Sequence, residues 1–524
     1  MPSSRTRSTP ISVPIPETPR SPVHTQTSSA LNADRRSREL TELADGAEID
    51  VLVIGGGITG VGVALDAATR GLKVALVERH DLAFGTSRWS SKLAHGGLRY
   101  LASGNVGIAR ESAVERGILM TRTAPHLVRA MPQLVPLLPS VGLFEKSLVR
   151  VGFLAGDVLR ATARTPSRVL PRSRRIGARE AAALAPAVER DGLRGALLAY
   201  DGQLIDDARL VVAIARTAAA NGARILTRVG AYDVTGRSAR LRDELTGGEM
   251  TVRARTVVNA AGVWAGQVDP DIALKPSRGT HLVLSAAALG NPTAALTVPI
   301  PGETNRFVFA LPAQLGRVYL GLTDEAVDGE IPDVPQAEEF EIDFLLDTVN
   351  TALGTALTHD DVLATYSGLR PLLDTGDGDT ADLSRNHAVL TSSNGVISVV
   401  GGKLTTYRKM AQDAVDAAVR AGGLAAGPCA TTRLPLVGAG PAPRDLPASL
   451  VARYGSESAA VAACGDLEPV AEGIDVTGAE FAFAVSHEGA LDVGDLLDRR
   501  TRIGLVPADR ERATPAAEAA LSGR

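Results

Sequence analysis

Cysteine is nearly absent: Cys429 and Cys464 are the chain's 2, in 524 residues. Two distant thiols exclude a four-thiolate iron–sulfur cluster, a Cys-x-x-Cys redox pair and a disulfide framework, and they suit a reducing, cytoplasmic compartment. Charge of one sign is lacking too, with 55 Lys+Arg against 59 Asp+Glu and a net charge of −4. Nucleic-acid binding through phosphate neutralisation is therefore not expected. Long hydrophobic runs are missing: the longest, Leu282 to Leu289, is broken by Ser285 and closed by Gly290-Asn291-Pro292. That is far short of the roughly 18 residues a spanning helix needs. The first 45 residues have no apolar segment of signal-peptide length, and Pro2, Pro10, Pro14, Pro16, Pro19 and Pro22 oppose an amphipathic transit helix. Residues 1–45 are expected to be a disordered tail.

What is present is ordinary globular material, 45% hydrophobic with 53 Gly and 30 Pro. It is enough for two to four domains at about 150 residues each. Val51-Leu52-Val53-Ile54 reads as a strand covered on both faces, Val61, Ala64, Leu65 and Ala68 as a helix face, and Val74 to Val77 as a second buried strand ending on Glu78. This β-α-β unit predicts a parallel sheet flanked by helices. Similar strands recur at Ala223 to Leu226, Thr256 to Asn259 and Val396 to Val400, the last followed by a helix from about Leu404 to Arg420. Arg306 to Phe309 and Val318 to Gly321 read as strands of another sheet. The expected fold is α/β: a Rossmann-like nucleotide domain (46–130, 200–270, 385–430) with an inserted mixed or antiparallel substrate domain (131–199, 271–384). A helical domain (431–524) follows.

Gly55-x-Gly57-x-x-Gly60 follows a strand, opens a helix and precedes Glu78 by the interval of a dinucleotide site. Gly55 permits the turn, Gly57 lets backbone approach a pyrophosphate, and Gly60 allows close helix–strand contact. Ile58 and Thr59 add amides at the positive helix end. Glu78 would accept from ribose hydroxyls. The chain returns to this site at Ala260-Ala261-Gly262 and at Gly401-Gly402-Lys403-Leu404-Thr405-Thr406. A cofactor longer than a nicotinamide dinucleotide suits that return, and a helix start there would stabilise the negative edge of a reduced flavin.

Several blocks carry a resemblance: Thr86-Ser87 with Ser90-Ser91-Lys92-Leu93, His95-Gly96-Gly97-Leu98-Arg99-Tyr100-Leu101, Ala124-Pro125-His126-Leu127, Ser367 to Leu372, Gly401 to Lys409, and Arg499 to Arg502. The chain resembles the FAD-dependent glycerol-3-phosphate dehydrogenases of the aerobic, quinone-linked type, from about residue 48 to 505. The resemblance implies FAD contacts by Thr86, Ser87, Ser90, Ser91 and Lys92. It also implies a substrate-phosphate site around Arg99, Arg370 and Arg385, with His95, Tyr100, His281 and Lys403 nearby. No metal is expected, since Asp374-x-x-Asp377-x-Asp379 lacks the Gly and Glu of a calcium loop.

Oxidising a secondary alcohol needs a hydride acceptor and a base, and either His95 or His281 can take the proton. Arg99 and Arg370 lie in apolar, Gly-flanked motifs where an unpaired charge would be costly, which favours a bound anion. From Leu143 to Arg164, apolar Phe144, Leu148, Val151, Phe153, Leu154, Val158 and Leu159 alternate with Lys146, Arg150, Arg160 and Arg164. Such an element either packs on the core or lies on a membrane near quinone. The expected reaction is oxidation of sn-glycerol 3-phosphate to dihydroxyacetone phosphate with quinone as acceptor, in the cytoplasm or peripherally on the inner membrane face. A peroxide-forming oxidase on the same substrate, an amine or amino-acid oxidase, and a non-enzymatic flavoprotein are the alternatives. Homo-oligomerisation is left open.

Overall fold

The computed structural model describes residues 28–97, 105–139, 143–303, 306–374 and 387–523, with the side chains of 143–148 excepted. Arg99, Tyr100 and Arg385 lie outside the described residues, as do Asp377 and Asp379.

Two large sheets meet along one cavity. In the first, the strands run in the order Arg224–Thr227, Val74–Glu78, Ile49–Ile54, Glu249–Asn259 and Ile397–Gly401, all parallel, with His387–Thr391 added antiparallel at the edge. The helix Ile58–Thr69 explains the central position of the first strand. It is buried on nearly every side, Val61, Val63, Ala64 and Ala67 being fully enclosed. Helices Asp207–Ala220 and Tyr407–Gly422 flank it, so alanine and glycine at its faces permit close packing.

The second sheet is mostly antiparallel. Its path joins Ser277–Ser285, Arg317–Gly321, Phe307–Pro312, Ala295–Pro299, Val128–Pro136 and Ala196–Leu204. Val362–Arg370 pairs with Ser277–Ser285, setting Gly279 opposite Gly368 and His281 opposite Tyr366. Ala295–Pro299 runs parallel to Val128–Pro136, the mixed element.

Residues after about 430 form helices, including Gly478–His487 and Pro507–Ser522, and a small hairpin of Pro469–Ala471 with Ile474–Thr477. This module is bolted to the nucleotide domain by buried charge pairs. Arg499 Nε and Arg500 Nη1 donate to Asp81 at 2.6 and 2.8 Å, and Arg209 forks onto Glu488 at 3.0 and 2.8 Å. Burial would raise the Asp81 carboxyl, but the two guanidiniums hold it well below the usual carboxylate range.

The expected tail of residues 1–45 is corrected over its last part. Ala33–Ala44 is a helix capped by Asn32, whose side chain accepts from the Arg35 amide. Arg35, Glu39 and Leu43 repeat every four residues, and all three are buried. Arg36 pairs with Asp243, so this helix is part of the domain.

The helix Leu143–Thr162 divides the expected amphipathic stretch. Phe153 and Leu159 are buried on the core, while Val151 (64% exposed), Leu154 (48%) and Val158 (62%) form an exposed stripe. Among the described residues no helix is long and apolar enough to cross a membrane.

Candidate active site

A cavity of about 1320 Å³ opens between the sheets, beginning at the glycine turn. Gly55, at φ +111°, lies so close to Ala260 that a Cβ would come within 2.5 Å of its carbonyl oxygen, and a Cβ on Gly60 would meet the Gly55 carbonyl. Glu78 locks the turn from the second strand: Oε2 accepts from Gly56 N at 2.6 Å and Oε1 from His80 N at 2.8 Å. Burial raises its carboxyl against the pull of those amides. Ser87 Oγ accepts from Ile58 N at 2.8 Å, tying the serine block to the helix start.

Of the expected cofactor residues, Gly55, Gly57, Ile58, Thr59, Glu78, Thr86, Ser87, Ser90, Ser91, Ala261, Gly262, Gly402, Lys403, Leu404 and Thr405 line this cavity. Gly60 and Thr406 do not line it, and Thr406 is buried. Lys92 is a correction. Its backbone is left-handed, φ +55°, and its Nζ is turned away to Asp207 at 3.1 Å and to the Arg88 and Ser90 carbonyls at 2.9 Å. Burial pushes the ammonium down to about 8. It braces the serine block and does not reach into the cavity.

His95, His281, Arg370 and Lys403 face the same space. The two histidines differ sharply. His281 is buried, its Nε2 2.8 Å from Ser91 Oγ, its ring stacked on Tyr366. Burial first, then the charges of Lys92 and Arg370, holds it far below the ordinary histidine range, so it is neutral. His95 has a 45% exposed side chain with Nδ1 3.2 Å from Asp201 Oδ2, and its amide donates to Thr405 Oγ1 at 3.1 Å.

Arg370 has a carboxylate partner, which overturns the argument from an unpaired charge: Nη1 donates to Asp324 at 2.9 Å and to Ser277 Oγ at 3.1 Å. Gly279 makes this geometry feasible, since a Cβ there would occupy the place of the guanidinium. Lys403 Nζ donates to Ser112 Oγ at 2.6 Å. Asp201 and Asp324, which sequence reading missed, are supplied by a strand and by the segment just before Glu325–Ala326, both distant in sequence from the histidine and arginine they hold.

Beyond the turn the cavity extends into an apolar annex. Its walls are Val135, Val149, Phe153, Pro299, Phe307 and Phe309, with Gln133 and Thr297 on adjacent strands. Among the described residues, Gln133 Nε2 and Thr297 Oγ1 are buried without a hydrogen-bond partner.

A parallel nucleotide sheet with a glycine turn, an acid at the end of the second strand and a facing antiparallel sheet defines a flavin-dependent oxidoreductase. The chain belongs to the FAD-dependent glycerol-3-phosphate dehydrogenase family. Residues 50–408 match the family described as FAD dependent oxidoreductase, and 429–522 the C-terminal domain of alpha-glycerophosphate oxidase. Glycerol-3-phosphate dehydrogenase 1 of Mycobacterium tuberculosis is 68% identical over 510 residues, covering 94% of this chain and 99% of the relative. A mitochondrial glycerol-3-phosphate dehydrogenase of Arabidopsis thaliana is 36% identical over 88% of this chain and 80% of its own. The glycerol-3-phosphate dehydrogenase from Bacillus halodurans complexed with FAD superposes with a TM-score of 0.70 at 27% identity, covering 94% of each chain. The cofactor is FAD, and the glycine turn, Glu78 and the cavity volume fit it.

Proposed function

We propose that this protein oxidises C2 of sn-glycerol 3-phosphate to dihydroxyacetone phosphate, in glycerol metabolism, and passes the electrons to quinone. The observation that carries the reading is a carboxylate-oriented histidine, His95, in one cavity with Arg370 and Lys403. FAD, when bound, supplies the hydride acceptor. His95 takes the hydroxyl proton, because an imidazole half open to the cavity and oriented by a carboxylate is better placed to receive it than buried His281. Arg370, its guanidinium held by Asp324, Ser277 and the Thr323 carbonyl, presents a fixed positive charge to the phosphate, as does Lys403. Arg99 and Arg385 are assigned to the same phosphate by the family resemblance.

The acceptor reading rests on the annex. An apolar slot with two unpartnered polar groups suits a flat lipophilic quinone, whose carbonyl would pair with Gln133 or Thr297. The exposed Val151, Leu154 and Val158 stripe stands beside it and would rest peripherally on the inner membrane face.

The test is anaerobic bleaching of the flavin by glycerol 3-phosphate, glycerol and a panel of amines, followed by reoxidation with a short-chain quinone or with oxygen. Bleaching by glycerol 3-phosphate alone and quinone reoxidation are expected. Stoichiometric peroxide without quinone would instead identify an oxidase, as the match of the C-terminal domain would allow. No bleaching by any alcohol would end the proposal.

A further inference from the structure

Asp201 stands in the strand Ala196–Leu204, 106 residues from His95 in sequence, yet it contacts that histidine and three donors besides. Its Oδ1 accepts from Arg116 Nη1 at 2.6 Å, Gly96 N at 3.1 Å and Gly202 N at 2.9 Å, while Oδ2 shares the Gly96 amide at 3.3 Å and faces His95 Nδ1 at 3.2 Å. Arg116 comes from the helix Val106–Ile118 and is 4% exposed. Its guanidinium fills the space that a Cβ on Gly96 would need, so the glycine next to His95 is there to admit an arginine.

We propose that Asp201 is the positioning residue of the alcohol oxidation: seated by Arg116 and two amides, it fixes His95 as the Nδ1–H tautomer and leaves Nε2 with its lone pair for the hydroxyl proton. The proposal rests on the reading of His95 as the base. Burial would raise the Asp201 carboxyl, but Arg116 and His95 outweigh it and hold the group below the usual carboxylate range. Asp201 therefore stays ionised and takes no proton itself. When the alcohol proton passes to His95 Nε2, the new positive charge forms 3.2 Å from a fixed negative one, with no rearrangement needed. Among the described residues the other hydrogen bond of His95, from its amide to Thr405, comes from the backbone, so the ring is oriented by Asp201. Asparagine at this position is isosteric, but its amide nitrogen can donate to Nδ1 and stabilise the opposite tautomer.

The experiment uses the FAD-loaded enzyme and the variants Asp201→Asn, Asp201→Glu and Arg116→Lys. Asp201→Asn is expected to lower the rate of flavin reduction by glycerol 3-phosphate about 10²-fold. FAD content and the dissociation constant for dihydroxyacetone phosphate, read from the flavin spectrum, should stay within about threefold. Asp201→Glu should recover part of the loss, and Arg116→Lys should fall between. A second readout needs no substrate: in ¹⁵N-histidine spectra the His95 signals, assigned by their loss in His95→Gln, should show protonated Nδ1 and unprotonated Nε2. Asp201→Asn should reverse that pattern. An unchanged reduction rate, an unchanged tautomer, or parallel loss of FAD, product binding and rate would each overturn the proposal. If wild-type flavin is not bleached by glycerol 3-phosphate, the proposed function fails, and the tautomer result still decides the role of Asp201.

Discussion

Tyr366 lies flat on His281, ring centroids 4.7 Å apart and planes 8° from parallel, with Lys92 Nζ 4.5 Å from the centre of the tyrosine ring. The stack seals His281 into a dry wall beside a cation, and a proton added there would be both desolvated and repelled. His281 thus contributes shape and one hydrogen bond to Ser91. His281→Gln should slow flavin reduction less than about tenfold, whereas His95→Gln should slow it about 10²–10⁴-fold. Stopped-flow reduction of both variants checks this, and equal losses would return His281 to candidacy as the base.

Arg370 is expected to distinguish the phosphorylated substrate from glycerol. Two charge-assisted bonds at roughly 1.5–3 kcal/mol each amount to about 3–6 kcal/mol, or roughly 10²–10⁴ in kcat/KM. Arg370→Ala should show that loss with glycerol 3-phosphate and little with glycerol, and Arg370→Lys should recover only part. Gly279→Ala should reproduce the defect by evicting the guanidinium from its seat beside Asp324 and Ser277. Equal damage to both alcohols would assign Arg370 to the fold.

Gly57→Val should empty the cofactor site. A Cβ at this position already comes within 3.1 Å of Ser87 Oγ, and branched atoms would displace the serine that binds Ile58 N. The purified variant should lack flavin absorbance.

Acid should loosen the joint between the domains. His126 packs against Gly438 and Gly455, and burial pushes its imidazole down to about 4 from 6.5. Between those values the unfolded chain binds the additional proton, so stability rises with pH through this window and is lost on acidification from 6.5 toward 4. The share of this one residue is about 3 kcal/mol or less. Melting temperatures at pH 5 and pH 7 should differ more for the wild type than for His126→Gln.

Leu43→Ala should cost about 2–5 kcal/mol, because the helix Ala33–Ala44 is packed and not a loose tail. Thermal melts of that variant give the check; an unchanged melting temperature would contradict the packing.

The nucleotide domain was legible because its signals are local. The glycine spacing, the all-apolar strands and Glu78 lie within 30 residues, and the parallel register of Val51 with Val74 follows from them. The helix at 33–44 was obscured by the Ser- and Pro-rich segment before it, although Arg35, Glu39 and Leu43 keep a helical spacing. The direction of Lys92 was hidden by a left-handed backbone that no neighbouring glycine announces. Asp201 and Asp324 escaped notice because a carboxylate's partner is set by sheet pairing over long separations, 106 residues for His95 and 46 for Arg370.

The arginines that occupy Asp81 lie 418 and 419 residues further along the chain. During synthesis the second strand of the nucleotide sheet and the serine loop leave the ribosome long before their rear support exists. At about 5–20 residues per second, that interval is on the order of 20–80 seconds. Until it closes, Asp81 has neither of its guanidinium partners, and the loop that borders the flavin cavity lacks the Arg502 bond to the Arg88 carbonyl. Nascent chains stalled before residue 499 should therefore hold the apolar nucleotide core and yet remain poor acceptors of FAD, so that cofactor capture falls at the end of translation.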